Sequence, residues 1–298
     1  MKKVILDVDT EIDDAVAIAM ALFDKRVKVE LITCIMGNLA VKEIQKNTLN
    51  FLNAIGKQDI LVAVGADKPL QREKDNSVQA HGKSGLGKYK FPPHNLKACK
   101  EDAVEKMHQL IMDSKTPIDI ICMGPLTNIA LLLLKYPEVK EKIGLITISG
   151  GLLEDATYLG FNVAQDPESA DIVFKSGIRM VVCPSDMGHK AYLTPEEVNR
   201  VKETNKTGEM LDIIFKSYHD RHIKIGIATH DPCAVVSHIR PELFELTPMR
   251  VRVKFLKKAG TGIIHFDDKS DNPNMFVTTD VDVKKFKRHF FNILRKMP

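Results

Sequence analysis

Five of the eight residues Asp7-Val8-Asp9-Thr10-Glu11-Ile12-Asp13-Asp14 are acidic. Like charges this close repel, and partial burial strengthens the repulsion. A shared positive partner relieves it, and a divalent cation is the simplest one. Hard carboxylate oxygens suit Ca²⁺ or Mg²⁺. Asp7 and Asp9 lie two apart, so in extended chain they point the same way. Asp13 and Asp14 are adjacent at a helix start and point about 100° apart. That divergence suits two partners better than one, with Asp9 and Asp14 on a metal and Asp13 on a substrate hydroxyl. The competing reading is a capped helix with solvated acids.

The acids follow an apolar run, Val4-Ile5-Leu6, and lead into Ile12, Ala15, Val16, Ala19, Met20 and Phe23 at helical spacing. They therefore sit where a strand ends and a helix begins. Strands at 3–6, 27–36 and 60–64 alternate with helices at 12–23 and about 40–55. That alternation predicts a parallel sheet covered by helices. Residues 66–100 break the pattern around His81-Gly82-Lys83-Ser84-Gly85-Leu86-Gly87, and a loop this long is usually functional or disordered. The pattern resumes with a helix at 101–113, a strand at 118–122, a helix to 134 and a strand at 143–149. An irregular stretch at 152–166 precedes a helix at 167–176 and a strand at 179–183. Helical stretches near 195–204 and 208–225 follow. Thr229-His230-Asp231-Pro232 opens another helix, since Pro is tolerated in the first turn. Short strands at 249–256, 262–266 and 275–279 suggest an antiparallel flank, and a helix at 282–296 closes the chain. With no repeat or dividing linker, residues 1–298 are expected to form one α/β domain.

Length and composition agree with that expectation. The chain has 298 residues, 44% hydrophobic and 28% charged, with a net charge of +4. This charge is too small to argue for nucleic acid, and the lysine-rich stretches read as solvated faces. No run is long and apolar enough to span a bilayer. The start, Met1-Lys2-Lys3, leads straight into a strand without a signal-peptide core. Five scattered cysteines (34, 99, 122, 183 and 233) form no CxxC pair and read as reduced thiols of a cytoplasmic protein.

In parallel α/β folds, ligands bind outside the carboxyl ends of the strands. Polar candidates recur there: Asp7 and Asp9, then Asn38, then the His81 loop, then Met123-Gly124, then the 150–166 loop. Together they predict one polar rim. Phosphotransferases of the haloacid dehalogenase class also begin with a strand and Asp-x-Asp-x-Thr, but here the threonine is one residue early, at Thr10.

A second resemblance runs along nearly the whole chain. Asp7-x-Asp9-x-x-x-Asp13-Asp14-Ala-Val-Ala-Ile resembles the N-terminal signature of the inosine–uridine-preferring nucleoside hydrolases. Gly37-Asn38, His81-Gly82 with Gly85, and Gly124-Pro125-Leu126-Thr127-Asn128 continue it, followed by Phe161-Asn162, Asp166-Pro167-Glu168 and His230-Asp231-Pro232. The resemblance implies a Ca²⁺-dependent N-glycosidase on a Rossmann-like, mostly parallel sheet, giving ribose and free base. It implies Asp9, Asp14 and Asp231 as calcium ligands with the Met123 carbonyl, and Asp9 as the base that deprotonates a metal-bound water. Asp13, Asn38 and Asn162 would hold ribose hydroxyls. His81 would line the pocket near the base or the sugar, and Tyr218 would flank the base. His230 would give a proton or a hydrogen bond to the leaving base. The family also suggests a homodimer or homotetramer acting on a small nucleoside, with no nucleic-acid or membrane partner.

General chemistry is consistent with such an activity. Cleavage of this bond passes through an oxocarbenium-like state, which carboxylates stabilise. A histidine is the natural proton donor near neutral pH. Two departures from the family pattern stand out. Thr10-Glu11 replaces the usual Pro-Gly. In the 150–166 loop, Gly160 stands where a glutamate is common and Glu154 where an asparagine is. Either Glu154 takes over the missing carboxylate's role, or the 5′ end of the pocket is remodelled for an atypical substrate. The rivals are a dehalogenase-class phosphatase with Asp7 as nucleophile and a non-catalytic relative that binds a ribosyl ligand.

Overall fold

Val4-Ile5-Leu6 is apolar on both sides of its pleat, so it needs cover on both faces of a sheet. It receives that cover as the centre of β1 (Lys2–Val8), where Val4 through Val8 are all buried. The structure is a computed structural model that describes residues 1–73, 84–153, 160–217, 226–256 and 261–298. After β1 come α1 (Ile12–Phe23), β2 (Val27–Cys34), α2 (Val41–Ala54) and β3 (Val62–Val64). Next are α3 (Ala103–Asp113), β4 (Ile118–Cys122), α4 (Thr127–Lys135) and β5 (Ile143–Ser149). The chain continues through α5 (Phe161–Gln165), α6 (Pro167–Phe174), β6 (Met180–Cys183), α7 (Ser185–Lys190), α8 (Pro195–Lys202) and α9 (Lys206–Phe215). It ends with α10 (His230–Ile239), β7 (Phe244–Leu256), β8 (Thr261–Asp267), β9 (Met275–Val281) and α11 (Val283–Leu294).

The nine strands form one sheet in the order β3-β2-β1-β4-β5-β6-β9-β7-β8. The pairs from β3 to β6 are parallel, as is β6 with β9, while β7 runs antiparallel to both β9 and β8. The order reverses between β1 and β4, and a crevice opens at such a switch point, outside the carboxyl ends. Side chains of β1 alternate between two cores. Val4, Leu6 and Val8 pack with α1, α10 and α11, whereas Ile5 packs with α3 and α4. Among the described residues no helix is long and apolar enough to cross a membrane.

Several expectations need correction. The predicted strand at 60–64 shortens to β3, and the helix near 208–225 becomes α9, with 218–225 outside the described residues. Helix α5 falls in the stretch read as irregular and α7 in one given no element; five and six residues are too few to show a 3.6-residue period. The strand expected from 249 begins at Phe244, across Pro248. A proline is allowed there because β8 pairs from Arg250 onward, so at Pro248 one edge of β7 has no ladder to break.

Sequence position 289 holds a buried histidine on α11 with Nε2 3.0 Å from Asp24 Oδ2. Burial pulls the imidazole pKa down, and this outweighs Asp24, which pulls it up; Arg240, Arg26 and Lys296 add to the depression. The unfolded chain therefore binds the proton more readily. Stability is present above the ordinary imidazole pKa of about 6.5 and is lost as the pH falls below it. His289→Gln should flatten this acid-side loss. Urea unfolding on either side of that pKa checks it, and parallel declines in variant and wild type would refute it.

Candidate active site

Asp7 closes β1 from inside. Its Oδ1 accepts from Thr33 Oγ1 at 2.6 Å and from Asn128 Nδ2 at 2.8 Å. Burial outweighs both bonds and pushes its pKa up to about 7. Asn128 also donates to the Cys34 carbonyl, and its Oδ1 accepts from the Ala66 amide. Asp7 and Asn128 thus tie the ends of β1 and β2 to the start of α4. Asp7 is wholly buried, so it offers no face to a phosphoryl group and does not suit the nucleophile's role.

Asp9 lies just beyond β1 and is 4% exposed. Two glycines press against it. A Cβ on Gly37 would fall 2.0 Å from Asp9 Oδ2, and one on Gly124 3.1 Å from Oδ1. These glycines therefore allow the backbone to approach the carboxylate closely. Asp14, in the first turn of α1, accepts from the Glu11 amide at 3.1 Å, while its Oδ1 is buried without a hydrogen-bond partner among the described residues. Asp231 arrives from the first turn of α10 and is hydrogen-bonded by Ser149 and to Asp13.

Asp13, Asp14 and Asp231 each bring one oxygen within 4.8 Å of the others. Asp13 and Asp14, though adjacent on α1, thus both reach the neighbourhood of Asp231. Burial, then the neighbouring acids, raises the pKa of Asp9, Asp14 and Asp231 well above the carboxylate range. The neighbours of Asp9 in this effect are Asp14, Glu11, Asp231 and Asp13, in that order; Asp13 leads for both Asp14 and Asp231. Converging hard oxygens, an orphaned buried one among them, fit a divalent cation.

Glu11, to which the sequence assigned no role, is buried in the same site and accepts from Asn38 Nδ2 at 2.8 Å. Asn162, on α5, donates to the Met123 carbonyl at 2.6 Å and to the Ser149 carbonyl at 3.3 Å. It thus holds the carbonyl expected to face the metal. His230 Nδ1 lies 3.1 Å from the Ser185 carbonyl, which fixes hydrogen on Nδ1. His189, which no spacing singled out, meets the His230 ring edge-on, with centroids 4.8 Å apart. Asp9, Asp13, Asp14, Asn38, Met123, Asn162, His230 and Asp231 all belong to the carboxyl-end rim, whereas His81, Glu154 and Tyr218 lie outside the described residues.

Other motif residues hold the surrounding loops. Asp166 accepts from the Leu70 amide and the Thr127 hydroxyl. Arg72 pairs with both oxygens of Glu168 at 2.6 and 2.5 Å. Asn47 donates to the carbonyls of Thr10 and Ser84. These bonds fasten Leu70 and Arg72 to α6 and Ser84 to α2.

The family model for inosine-uridine preferring nucleoside hydrolase matches residues 4–288. The chain belongs to that family. The non-specific ribonucleoside hydrolase RihC of Escherichia fergusonii is 37% identical over 299 residues, covering 98% of each chain. Among solved structures, the purine-preferring ribonucleoside hydrolase from Gardnerella vaginalis aligns with a TM-score of 0.90 at 28% identity, over 99% of this chain and 98% of that one. A plant nucleoside hydrolase aligns equally well, with a TM-score of 0.90, 28% identity and 99% of both chains covered. This nucleoside hydrolase is therefore an enzyme of the glycosidase type, and the phosphatase reading is not favoured.

Proposed function

We propose that this nucleoside hydrolase cleaves the N-glycosidic bond of ribonucleosides to ribose and free base, with Ca²⁺ held in the acidic cluster. The convergence of Asp13, Asp14 and Asp231 within 4.8 Å, beside Asp9, carries the reading. In it Asp9, Asp14, Asp231 and the Met123 carbonyl hold the cation. A bound divalent cation would supply neutralising charge and Lewis acidity toward a water.

The remaining work falls to side chains. Asp9, seated between Gly37 and Gly124, accepts the proton of the attacking water. Asp13, Asn38 and Asn162 grip ribose hydroxyls, so the anomeric carbon stays oriented as the bond lengthens. The carboxylates stabilise positive charge growing on the sugar. His230, steadied through Nδ1, delivers a proton from Nε2 to the departing base; such general-acid help contributes about 10²–10⁴-fold. His81 and Tyr218 are assigned to the base side by the family resemblance, and Glu154 to the 5′ end of the sugar. We further assign a homodimer or homotetramer by the same resemblance.

A panel of nucleosides assayed for reducing sugar tests the proposal. Sugar release is expected from at least one ribonucleoside. Silence across the panel, or phosphate release from phosphomonoesters instead, would sink it. The same panel addresses the 5′ end. Gly160 is the residue before α5, two positions from Asn162. If Glu154 has replaced the family's carboxylate, Glu154→Ala abolishes inosine and uridine turnover and Gly160→Glu adds nothing. Turnover gained only in Gly160→Glu would instead mark a pocket remodelled for an atypical substrate.

A further inference from the structure

Glu11 forms a capping box with Asp14 at the start of α1, and its side chain also reaches into the polar rim. In that box the Glu11 backbone amide donates to Asp14 Oδ2 at 3.1 Å. Its side chain, 2% exposed, reaches Asn38. Gly85 lies close by, since a Cβ added there would come within 3.4 Å of Glu11 Cγ. The Ser84–Gly87 turn is in turn fastened by Asn47, which also binds the Thr10 carbonyl. Glu11 is thus set in a fixed frame between two loops of the site.

Glu11 Oε2 accepts from Nδ2, and this bond sets the orientation of the Asn38 amide. The Oδ1 end is then turned away. Asn38 Oδ1 is buried and has no hydrogen-bond partner among the described residues. A buried acceptor left without a donor is costly, and the missing donor matches an O–H group. We infer that Glu11 is a positioning residue, fixing the Asn38 amide so that Oδ1 accepts a hydrogen bond from a hydroxyl of the bound sugar. The inference rests on the ribosyl-substrate reading above and adds to it a residue at a place where relatives usually carry glycine. Its consequence is selectivity, because a site built around one hydroxyl rejects the analogue lacking it.

The test compares wild type with Glu11→Ser and Glu11→Gln. Serine is favoured at helix starts but is too short to reach Asn38, whereas glutamine still presents an acceptor to Nδ2. Steady-state kinetics are measured with inosine, 2′-deoxyinosine and 3′-deoxyinosine. Glu11→Ser should raise KM for inosine roughly tenfold, as loss of one such hydrogen bond implies, with a smaller effect on kcat. It should also erase most of the preference for inosine over the deoxy analogue that wild type rejects most strongly. Glu11→Gln should restore both. An equal loss on all three substrates, or a glutamine variant as poor as the serine variant, would overturn the inference. Thermal-shift titration of the same proteins with D-ribose and 2-deoxy-D-ribose reads hydroxyl recognition without turnover. Wild type that shifts with ribose but releases no sugar from nucleosides would refute the functional reading and leave Glu11 to be judged by the shift. Wild type that does neither would refute both.

Discussion

Asp9→Asn is expected to lower kcat for nucleoside hydrolysis by about 10²–10⁴-fold, the usual worth of a positioned general base. The substitution keeps the shape of the side chain, which matters because Gly37 and Gly124 leave no room for a larger group. It removes the acceptor for a proton and one negative charge from a site where Asp14, Glu11, Asp231 and Asp13 already oppose it. The like-charge cost therefore falls, and the thermal midpoint in chelator should hold or rise while activity collapses. Falling activity with unchanged or improved stability separates a chemical role from a structural one. A variant that keeps more than a tenth of wild-type kcat would remove Asp9 from the base position. One that loses activity and unfolds would point to a packing role instead.

Treatment with a strong chelator is the second large effect. Activity should vanish and return on adding Ca²⁺. Stability should move with it, since a ligand that binds the folded chain at a hundredfold over its Kd stabilises by about 2.7 kcal/mol. For a chain of 298 residues that corresponds to a midpoint shift of roughly 4 °C. The direction follows from the site: three buried acids whose pKa values are raised by burial and by one another hold their charges at a cost without a cation. Asp231→Asn should weaken the return of both activity and midpoint, because Asp231 supplies one of the three convergent oxygens. Full activity in chelator would remove the cation from the proposal while leaving sugar release as a separate question.

The placement of the acids was legible in residue order. An apolar run followed by Asp-x-Asp and then by apolar residues at helical spacing puts carboxylates at a strand end, whatever else the chain does. The parallel sheet was legible for the same reason, since β1, β2, β4 and β5 each show a strand pattern followed by a helix pattern. Short elements were not: α5 and α7 carry too few residues for a period, and the true start of β7 is masked by a proline that its edge position tolerates. Residues with no periodicity, such as the anchors Asp166 and Asn47, were seen as motif letters or not at all. Their partners lie 96 and 37 residues away, at Leu70 and at both Thr10 and Ser84.

By itself, the sequence determined the chemistry available to this protein: carboxylates at the end of a buried strand, a histidine at a helix start, and the family to which their order belongs. Local spacing and side-chain type are enough for that. Tertiary structure decided which of those groups meet. It brought Asp231 across 217 residues (231 − 14) to Asp14, with Asp13 beside the pair. It pressed Gly37 and Gly124 onto Asp9, and it buried Glu11 against Asn38. The reason is reach. The chain periods of 2 and 3.6 report the face on which a residue starts. Meeting in space depends on sheet order and on side-chain torsions, and neither leaves a local mark in the chain.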